Sequence, residues 1–388
     1  MRRRVPLGRL TASAFLRRYW QKSPHLIRRA ISGFKPPIGI EPLLALACTP
    51  GVEARLVQRI APRPHWQVAH GPFTKKQLQA LPATNWTLLI QDCDKHLPQL
   101  AEFLKQFDFV PNWRIDDLMI SYAVPGGSVG PHVDAYDVFL LQAQGRRRWD
   151  ISRKPQRPYS HPRLDLKLVK PFKPEHRWIL KPGDMLYLPP EVAHDGVAVE
   201  ECLTFSIGMR MPSDAELLAD LNSVLLKNLD PQSRYRDRDL KSAHADPGNI
   251  STQALAAIRR RLRSAQHLPD ADIDEWFGCF ITEPKPWLVP ARPKRQMNAA
   301  GLHRKLAAGV GIKRHPAARC AWIRGPKNTT KLFVNGRCYP LPQRLAGLVK
   351  LLCAVRVCNA AQLRPWLQDH AADALLLALY NAGLLRFE

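Results

Sequence analysis

The sequence predicts an α+β protein, mainly β: a barrel over residues 1–212, a helical region over 213–284, and a linker with a winged-helix-like domain over 285–388. Three observations carry this. Between Leu118 and Arg210, strand-length apolar runs with period two are separated by Gly- and Pro-rich turns. After Arg210 the period lengthens to three or four, as amphipathic helices require. Beyond the proline-rich, basic stretch Glu283–Gln296, short strands and helices alternate around an Asn335-Gly336 hairpin signal. A chain of 388 residues is too long for one ordinary core, and 45% hydrophobic residues suffice for more than one.

The N-terminal MRRRVPLGRLTASAF is basic but lacks the apolar core of a signal peptide, and no uninterrupted apolar run is long enough to span a bilayer. A cytoplasmic protein without membrane contact is expected. The eight cysteines (Cys48, Cys93, Cys202, Cys279, Cys320, Cys338, Cys353 and Cys358) show no Cys-x-x-Cys or zinc-ribbon spacing and read as small core residues in a reducing compartment. That excludes a disulfide-stapled secreted scaffold. From Ser32 to Asp117, runs such as EPLLALA and PQLAEFLKQF predict helices and edge strands packed outside the barrel. Within QDCDKH, Asp92, Asp94 and His96 have a spacing that can hold an ion, but no strand or glycine-rich context accompanies them. A solvated turn is expected there.

The chemistry is expected in Leu118–Trp149, LMISYAVPGGSVGPHVDAYDVFLLQAQGRRRW, and centres on His132-Val133-Asp134. Residues i and i+2 of a strand share a face, so this imidazole and carboxylate can close on one ion. The preceding Gly-Gly-Ser-Val-Gly-Pro run permits the tight backbone that sets a ligand at a strand mouth. His194, in GDMLYLPPEVAHDG, can reach the same ion from a neighbouring strand. Two histidines and one carboxylate make the facial triad of non-heme Fe(II) oxygenases, which leaves three positions for cosubstrate, O2 and water. A 2-oxoglutarate cosubstrate chelates iron through its keto acid and leaves a second carboxylate, which a buried Arg pairs with two-pronged geometry. Arg147 shares strand parity with the apolar Trp149 and Ile151 and is the anchor chosen; Arg146 and Arg148 point to solvent. Asp116, Asp117, Tyr136 and Asp137 are the acidic and aromatic groups available to receive a substrate guanidinium, and they would accept lysine as well. His161 and His176, in YSHPRLDLKLVKPFKPEHRW, are expected in a surface insertion near the barrel mouth.

The segments FLRRYWQKSPHLIRRA, DDLMISYAVPGGSVGPHVDAYDVFLLQAQGRRRW and KPGDMLYLPPEVAHDG resemble the bacterial ribosomal oxygenases of the JmjC/cupin superfamily, a family that includes the arginine hydroxylase of ribosomal large-subunit protein 16. The resemblance is dense over roughly the first 212 residues. It implies that the barrel is a double-stranded β-helix, the cupin/JmjC jelly roll. It implies iron ligands at His132, Asp134 and His194 and a 2-oxoglutarate anchor at Arg147. Ser121 and Thr204 fall where the family has further cosubstrate contacts, Thr204 standing in place of an amide side chain. Hydroxylation of an arginine in a ribosomal protein is the activity implied.

Past the barrel, Ser213 and Glu216 form a capping box, and Leu217, Leu218, Leu221, Val224 and Leu225 make one apolar stripe. A second helix is predicted from Thr252 to about Gln266, with Leu255, Ile258 and Leu262 opposite Arg259, Arg260 and Arg261. Such stripes must be buried, and the resembling family uses helices here to dimerise, so a homodimer is expected. In the C-terminal segment LFVNGRCYPL reads as a hairpin, QRLAGLVKLLCAV as a helix, and DALLLALYNAGLLRF as a helix closing into a strand. This order suits a winged helix, a domain that serves nucleic-acid binding and protein docking alike.

The formal charge of +25 and pI near 10.1 favour a polyanionic partner, such as rRNA, a ribosomal particle or an anionic membrane surface. Two classes of function are compatible with the chain: an Fe(II)- and 2-oxoglutarate-dependent hydroxylase, or a non-catalytic, ribosome- or RNA-binding assembly factor built on an inert barrel. The complete set His132, Asp134, His194 and Arg147 separates them, because a scaffold has no physical reason to hold all four. A histidine hydroxylase or a lysine demethylase would use the same triad. The arginyl target rests on the resemblance.

Overall fold

The structure is a computed structural model that describes residues 5–60, 65–154, 158–160, 167–236, 250–326 and 328–388. Its N-terminal half contains strands β1 (His25–Ile27), β2 (Ala54–Ile60), β3 (His65–His70), β4 (Trp86–Ile90), β5 (Ile115–Ala123), β6 (Val138–Gln144), β7 (Arg147–Ser152), β8 (Pro158–Ser160), β9 (Lys167–Val169), β10 (His176–Leu180), β11 (Met185–Leu188), β12 (Ala193–Ala198) and β13 (Cys202–Met209). Eight of these make one sheet, in the order β1-β11-β6-β13-β5-β4-β2-β3, and β10-β7-β12 make a second sheet. This is the JmjC/cupin β sandwich expected from the resemblance.

Alternation along the large sheet decides what the two faces do. Leu118, Ile120 and Tyr122 of β5, Phe139 and Leu141 of β6, and Leu203, Phe205 and Ile207 of β13 join one apolar core with Phe15, Leu43, Leu100 and Phe107 from the flanking helices. The residues between them, Asp117, Met119 and Ser121 on β5 and Thr204 and Ser206 on β13, face the other way, toward the small sheet. On that side Val138, Leu140, Trp149, Ile151, Leu180, Leu186 and Leu188 close the sandwich. A polar row on the inner face of a buried sheet has no packing purpose, and it marks the site.

The Ser213–Glu216 capping box opens a helix at Asp214–Asn228, and a second runs Thr252–Ala265. Four of the five residues of the expected stripe are half-buried, and one, Leu218, is not. Leu217, Leu221, Val224 and Leu225 are half-buried, whereas Leu218 and Leu226 are 59% and 69% exposed. A third helix, Asp270–Thr282, is one that the sequence pattern does not predict. It belongs physically with the C-terminal domain: Gly278 lies so close to the Phe333 ring that a Cβ would stand 2.4 Å from it, and Glu275 pairs with Lys331. The expected boundary after residue 284 therefore falls behind a helix that already packs on the C-terminal domain. Among the described residues, no helix is long and apolar enough to cross a membrane.

The C-terminal domain has strands β14 (Ile312–Arg314), β15 (Cys320–Gly325), β16 (Thr329–Val334), β17 (Arg337–Pro342), β18 (Val357–Cys358) and β19 (Leu385–Phe387), in sheets ordered β15-β16-β17 and β18-β14-β19. The predicted Asn335-Gly336 turn joins β16 to β17 with φ of +47° and +77°, and the predicted helices lie at Ala346–Ala354 and His370–Asn381.

The solvated turn expected around Asp92, Asp94 and His96 is instead a buried joint between the domains. Asp92 and Asp94 are 1% and 0% exposed. Both Asp92 oxygens accept from Lys285 Nζ at 3.0 Å, while Asp94 accepts from the Leu118 amide and pairs with Lys95. Lys285 comes from the stretch read as a linker, which is thus anchored by a buried ion pair. Removing one partner of such a pair costs about 3–5 kcal/mol.

Candidate active site

His132, Asp134 and His194 each direct one ligand atom to a common point, all within 4.8 Å of one another. His194 sits on β12. His132 and Asp134, expected on a strand, lie on an extended loop that touches β12 through one bridge, with His132 N donating to His194 O at 3.0 Å and His194 N to His132 O at 2.9 Å. The Asp134 carbonyl is held by Glu191 N at 2.8 Å. Gly130, at φ +83°, gives the loop the turn that an L side chain rarely adopts; a Cβ there would also meet Leu168 and Trp66.

Both imidazoles are oriented alike. His132 Nδ1 lies 2.8 Å from Gly130 O and His194 Nδ1 lies 2.9 Å from Val192 O. A carbonyl only accepts, so each Nδ1 carries the proton and each Nε2 keeps its lone pair for a metal. Those Nε2 atoms lie 4.0 Å and 3.6 Å from the Asp134 carboxylate. Burial, reinforced by the neighbouring His132, lowers the His194 pKa to about 4, so this ring is a neutral ligand at physiological pH.

Arg147 is 3% exposed. Its guanidinium donates to Ser121 Oγ at 2.8 Å, Thr204 Oγ1 at 3.4 Å and Gly196 O at 3.1 Å. Among the described residues no carboxylate pairs with it, its Nε is buried without a partner, and desolvation lowers its pKa. The Trp149 indole nitrogen, close by, is also buried and unpartnered. Buried donors are nearly always satisfied, so two orphans beside one cation mark the place of an acceptor-rich anion. A side chain at Gly196 would stand 2.6 Å from the Trp149 ring and 3.0 Å from Arg147 Nε, so glycine is required for both groups to lie here. Thr204 does not line the cavity; it accepts from Arg147 and donates to Gln142 at 3.1 Å, which makes it a support for the guanidinium.

These groups share a cavity of about 290 Å³, lined further by Arg55, Gln91, Asp117, Met119, Tyr136 and Ser206. Two of the four residues expected to receive substrate do line it, and two do not. Asp116 and Asp137 each neighbour one that does, and successive residues here point apart. Asp116 faces the domain seam, bonded to Arg319 at 2.8 Å; against the upward push of burial, Arg319 and Lys285 hold its carboxyl at about 2. Asp137 is fully buried and accepts from Tyr187, Gln21 and Arg114, so it fastens the N-terminal segment to the sheet. Asp117 does face the cavity. Burial pushes its carboxyl up to about 7, with Lys285 acting in the opposite sense. Tyr136, 41% exposed at the mouth, keeps its hydroxyl proton because Asp134 and burial both raise its pKa.

Trp149, used in the sequence only to fix strand parity, and Ser206, Arg55 and Gln91 were missed; parity on β13 could have found Ser206, which shares a face with Thr204. Arg146 and Arg148 point outward as expected, paired with Glu200 and Asp150. His176 is exposed and stacks on Trp178, and His161 lies outside the described residues.

Residues 102–217 match the JmjC domain family, residues 261–386 the ROXA-like winged helix family, and residues 174–271 the AraC-like ligand binding domain family. The chain is 34% identical over 374 residues to the ribosomal protein uL16 3-hydroxylase of Escherichia coli, covering 96% of this chain and 97% of that one. It is 33% identical over 262 residues to a probable ribosomal oxygenase of Haemophilus influenzae, covering 65% of this chain and 63% of that one. Among solved structures, E. coli YcfD superposes with a TM-score of 0.87 at 34% identity, over 98% of this chain and 99% of that one. YcfD in complex with cobalt and 2-oxoglutarate gives a TM-score of 0.84 at 32% identity, with the same coverage.

Proposed function

Because the chain belongs to the JmjC-domain ribosomal oxygenases, we propose that it is an Fe(II)- and 2-oxoglutarate-dependent hydroxylase that oxidises an arginine of ribosomal protein uL16. The observation that carries this is the convergence, in one cavity, of three metal-ligating atoms with a buried, carboxylate-free arginine. His132, Asp134 and His194 would hold the iron, and Arg147 the distal carboxylate of 2-oxoglutarate, with Ser121 and Thr204 fixing the guanidinium and Trp149 Nε1 offering one more donor. Iron, O2 and 2-oxoglutarate together supply the oxidant that inserts one oxygen into an unactivated C–H bond, releasing succinate and CO2. The chain itself has no proton to move; it must hold a side chain with its C–H bond over the metal and keep bulk water away. Asp117 and Tyr136, in the cavity lining, are the groups suited to an arginine: an acid that can pair with a guanidinium and an aromatic face that can stack on it.

Incubation with iron, 2-oxoglutarate and uL16 peptides should add a single oxygen to arginine, read by mass spectrometry. Oxygen on histidine, demethylation of lysine, or uncoupled turnover with no modified peptide would overturn the arginyl reading. A protein of +25 repels a basic peptide, so turnover of isolated peptides should rise as added salt screens the repulsion.

The helices at Asp214–Asn228 and Thr252–Ala265 leave Leu218, Leu226 and Leu262 58–69% exposed, a surface that suits a two-fold interface. Light scattering should give a dimer for the wild type and a soluble monomer for Leu218→Glu/Leu226→Glu, since an isologous contact meets each charge twice. A monomeric wild type would end this reading and leave the catalytic one untouched.

A further inference from the structure

Away from the active site, a cluster of three incompletely paired arginines lies in the seam between the barrel and the C-terminal domain. Arg314 ends β14, and its amide donates to Arg356 O at 2.7 Å, continuing the register that pairs Ile312 with Cys358 and Lys313 with Val357. Arg314 and Arg356 therefore stand opposite each other on adjacent strands, where like charges repel. Among the described residues neither has a carboxylate within hydrogen-bond distance. Arg314 makes no side-chain ion pair among the described residues and its Nε is buried without a partner; Asp94, already committed to Lys95 and the Leu118 amide, is 3.9 Å from Arg356. Arg319 spends one nitrogen on Asp116 at 2.8 Å and leaves Nη2 buried and unpartnered.

All three arginines line one cavity of about 90 Å³, together with Lys95 and Lys105 and the carboxylates Asp94, Asp108 and Asp116. A cavity of that size has room for several waters, hence for an ion of five heavy atoms, but not for a nucleotide. Burial, with repulsion from Arg314, lowers the Arg356 pKa to about 10, while against burial the neighbouring Cys320 raises that of Arg314. Even with the three carboxylates in the wall, Arg314 Nε and Arg319 Nη2 stay buried without a partner among the described residues, and guanidinium forks match the paired oxygens of a tetrahedral oxyanion.

We propose that this seam binds a small oxyanion of the phosphate class, held by Arg314, Arg319 and Arg356, which fastens the C-terminal domain to the barrel. The proposal goes beyond the hydroxylase reading and does not depend on it. Arg319 also holds Asp116, the neighbour of the cavity-facing Asp117, so the ion would stiffen one wall of the active site from behind.

The test uses the full chain and inorganic phosphate against chloride at equal ionic strength. Phosphate should raise the thermal midpoint saturably, by roughly 2–4 °C, and give a matching one-site calorimetric isotherm. Arg356→Gln should weaken the affinity at least tenfold, Arg356→Lys should weaken it less, and Cys320→Ser should leave it unchanged. Equal response to chloride, or full phosphate binding by folded Arg356→Gln, overturns the proposal. So does a wild type that ignores phosphate while Cys320→Ser binds it, since the Cys320 thiolate would then be the counter-charge. A short RNA that binds through Arg356 where inorganic phosphate does not would likewise overturn it.

Discussion

His132→Ala and Asp134→Ala are expected to fold normally, lose bound iron, and consume no 2-oxoglutarate above background. The reason is local. The loop is held to β12 by backbone bonds at 3.0 and 2.9 Å that neither side chain contributes, and both side chains are 23% exposed. Stability should therefore change by about 0.5 kcal/mol or less. Losing either group leaves two ligands where the metal needs three from the protein. Elemental analysis reads the iron and succinate formation reads the turnover; a His132→Ala protein with normal turnover would remove the triad from the mechanism. His194 adds a pH signature in the metal-free protein. Its folded pKa, about 4, lies below the ordinary value of 6.5, so the unfolded chain binds the proton more tightly. Its contribution to stability is full above 6.5 and is lost as pH falls toward 4, at most about 3 kcal/mol. Thermal melts in chelator across that window should show the loss, and His194→Gln should flatten it.

The site was legible where strand parity and ligand chemistry both applied. Arg147 was chosen over Arg146 and Arg148 by alternation alone, and the structure buries the first and exposes the other two to solvent-side partners. The same rule, applied to Asp116 against Asp117 and to Tyr136 against Asp137, would have halved the set of substrate contacts. It was not usable without knowing which face of β5 looked inward, and the apolar Leu118, Ile120 and Tyr122 that answer this lie on the face packed by helices, the more hydrophobic of two buried faces. The error at Asp92 and Asp94 has another origin. Lys285, the partner of Asp92, is 193 residues away, and Asp94 is held from the Leu118 amide as well as by the adjacent Lys95, so no local pattern announces that these carboxylates are buried. The helix at Asp270–Thr282 was hidden by its composition, since three aspartates and a glutamate dilute an apolar face of Trp276, Phe277 and Phe280 that meets other elements instead of a stripe of its own.

Arg147→Ala is expected to raise the KM for 2-oxoglutarate about 100-fold, leave iron content unchanged, and leave the cosubstrate-free protein as stable as the wild type. Each part derives from the charge balance of the empty cavity. The guanidinium is buried, its pKa is lowered by desolvation, one of its donors is unpartnered, and no described carboxylate neutralises it. Its solvation cost is thus already borne by the free protein, and truncation relieves that cost while sacrificing hydrogen bonds to Ser121, Thr204 and Gly196. When the dicarboxylate is bound the balance reverses: the missing cation strands a buried carboxylate, a loss of roughly 3 kcal/mol, which is the 100-fold. The metal ligands are oriented by backbone carbonyls and by one another, not by this guanidinium, so iron affinity is spared. Arg147→Lys should recover only part of the loss, because an ammonium keeps the charge and gives up the fork. The decisive comparison is thermal: 2-oxoglutarate with a redox-inert metal should raise the midpoint of the wild type and leave Arg147→Ala unmoved at the same concentration. An unchanged KM in Arg147→Ala would transfer the anchor to Arg55, the other arginine of the cavity wall among the described residues.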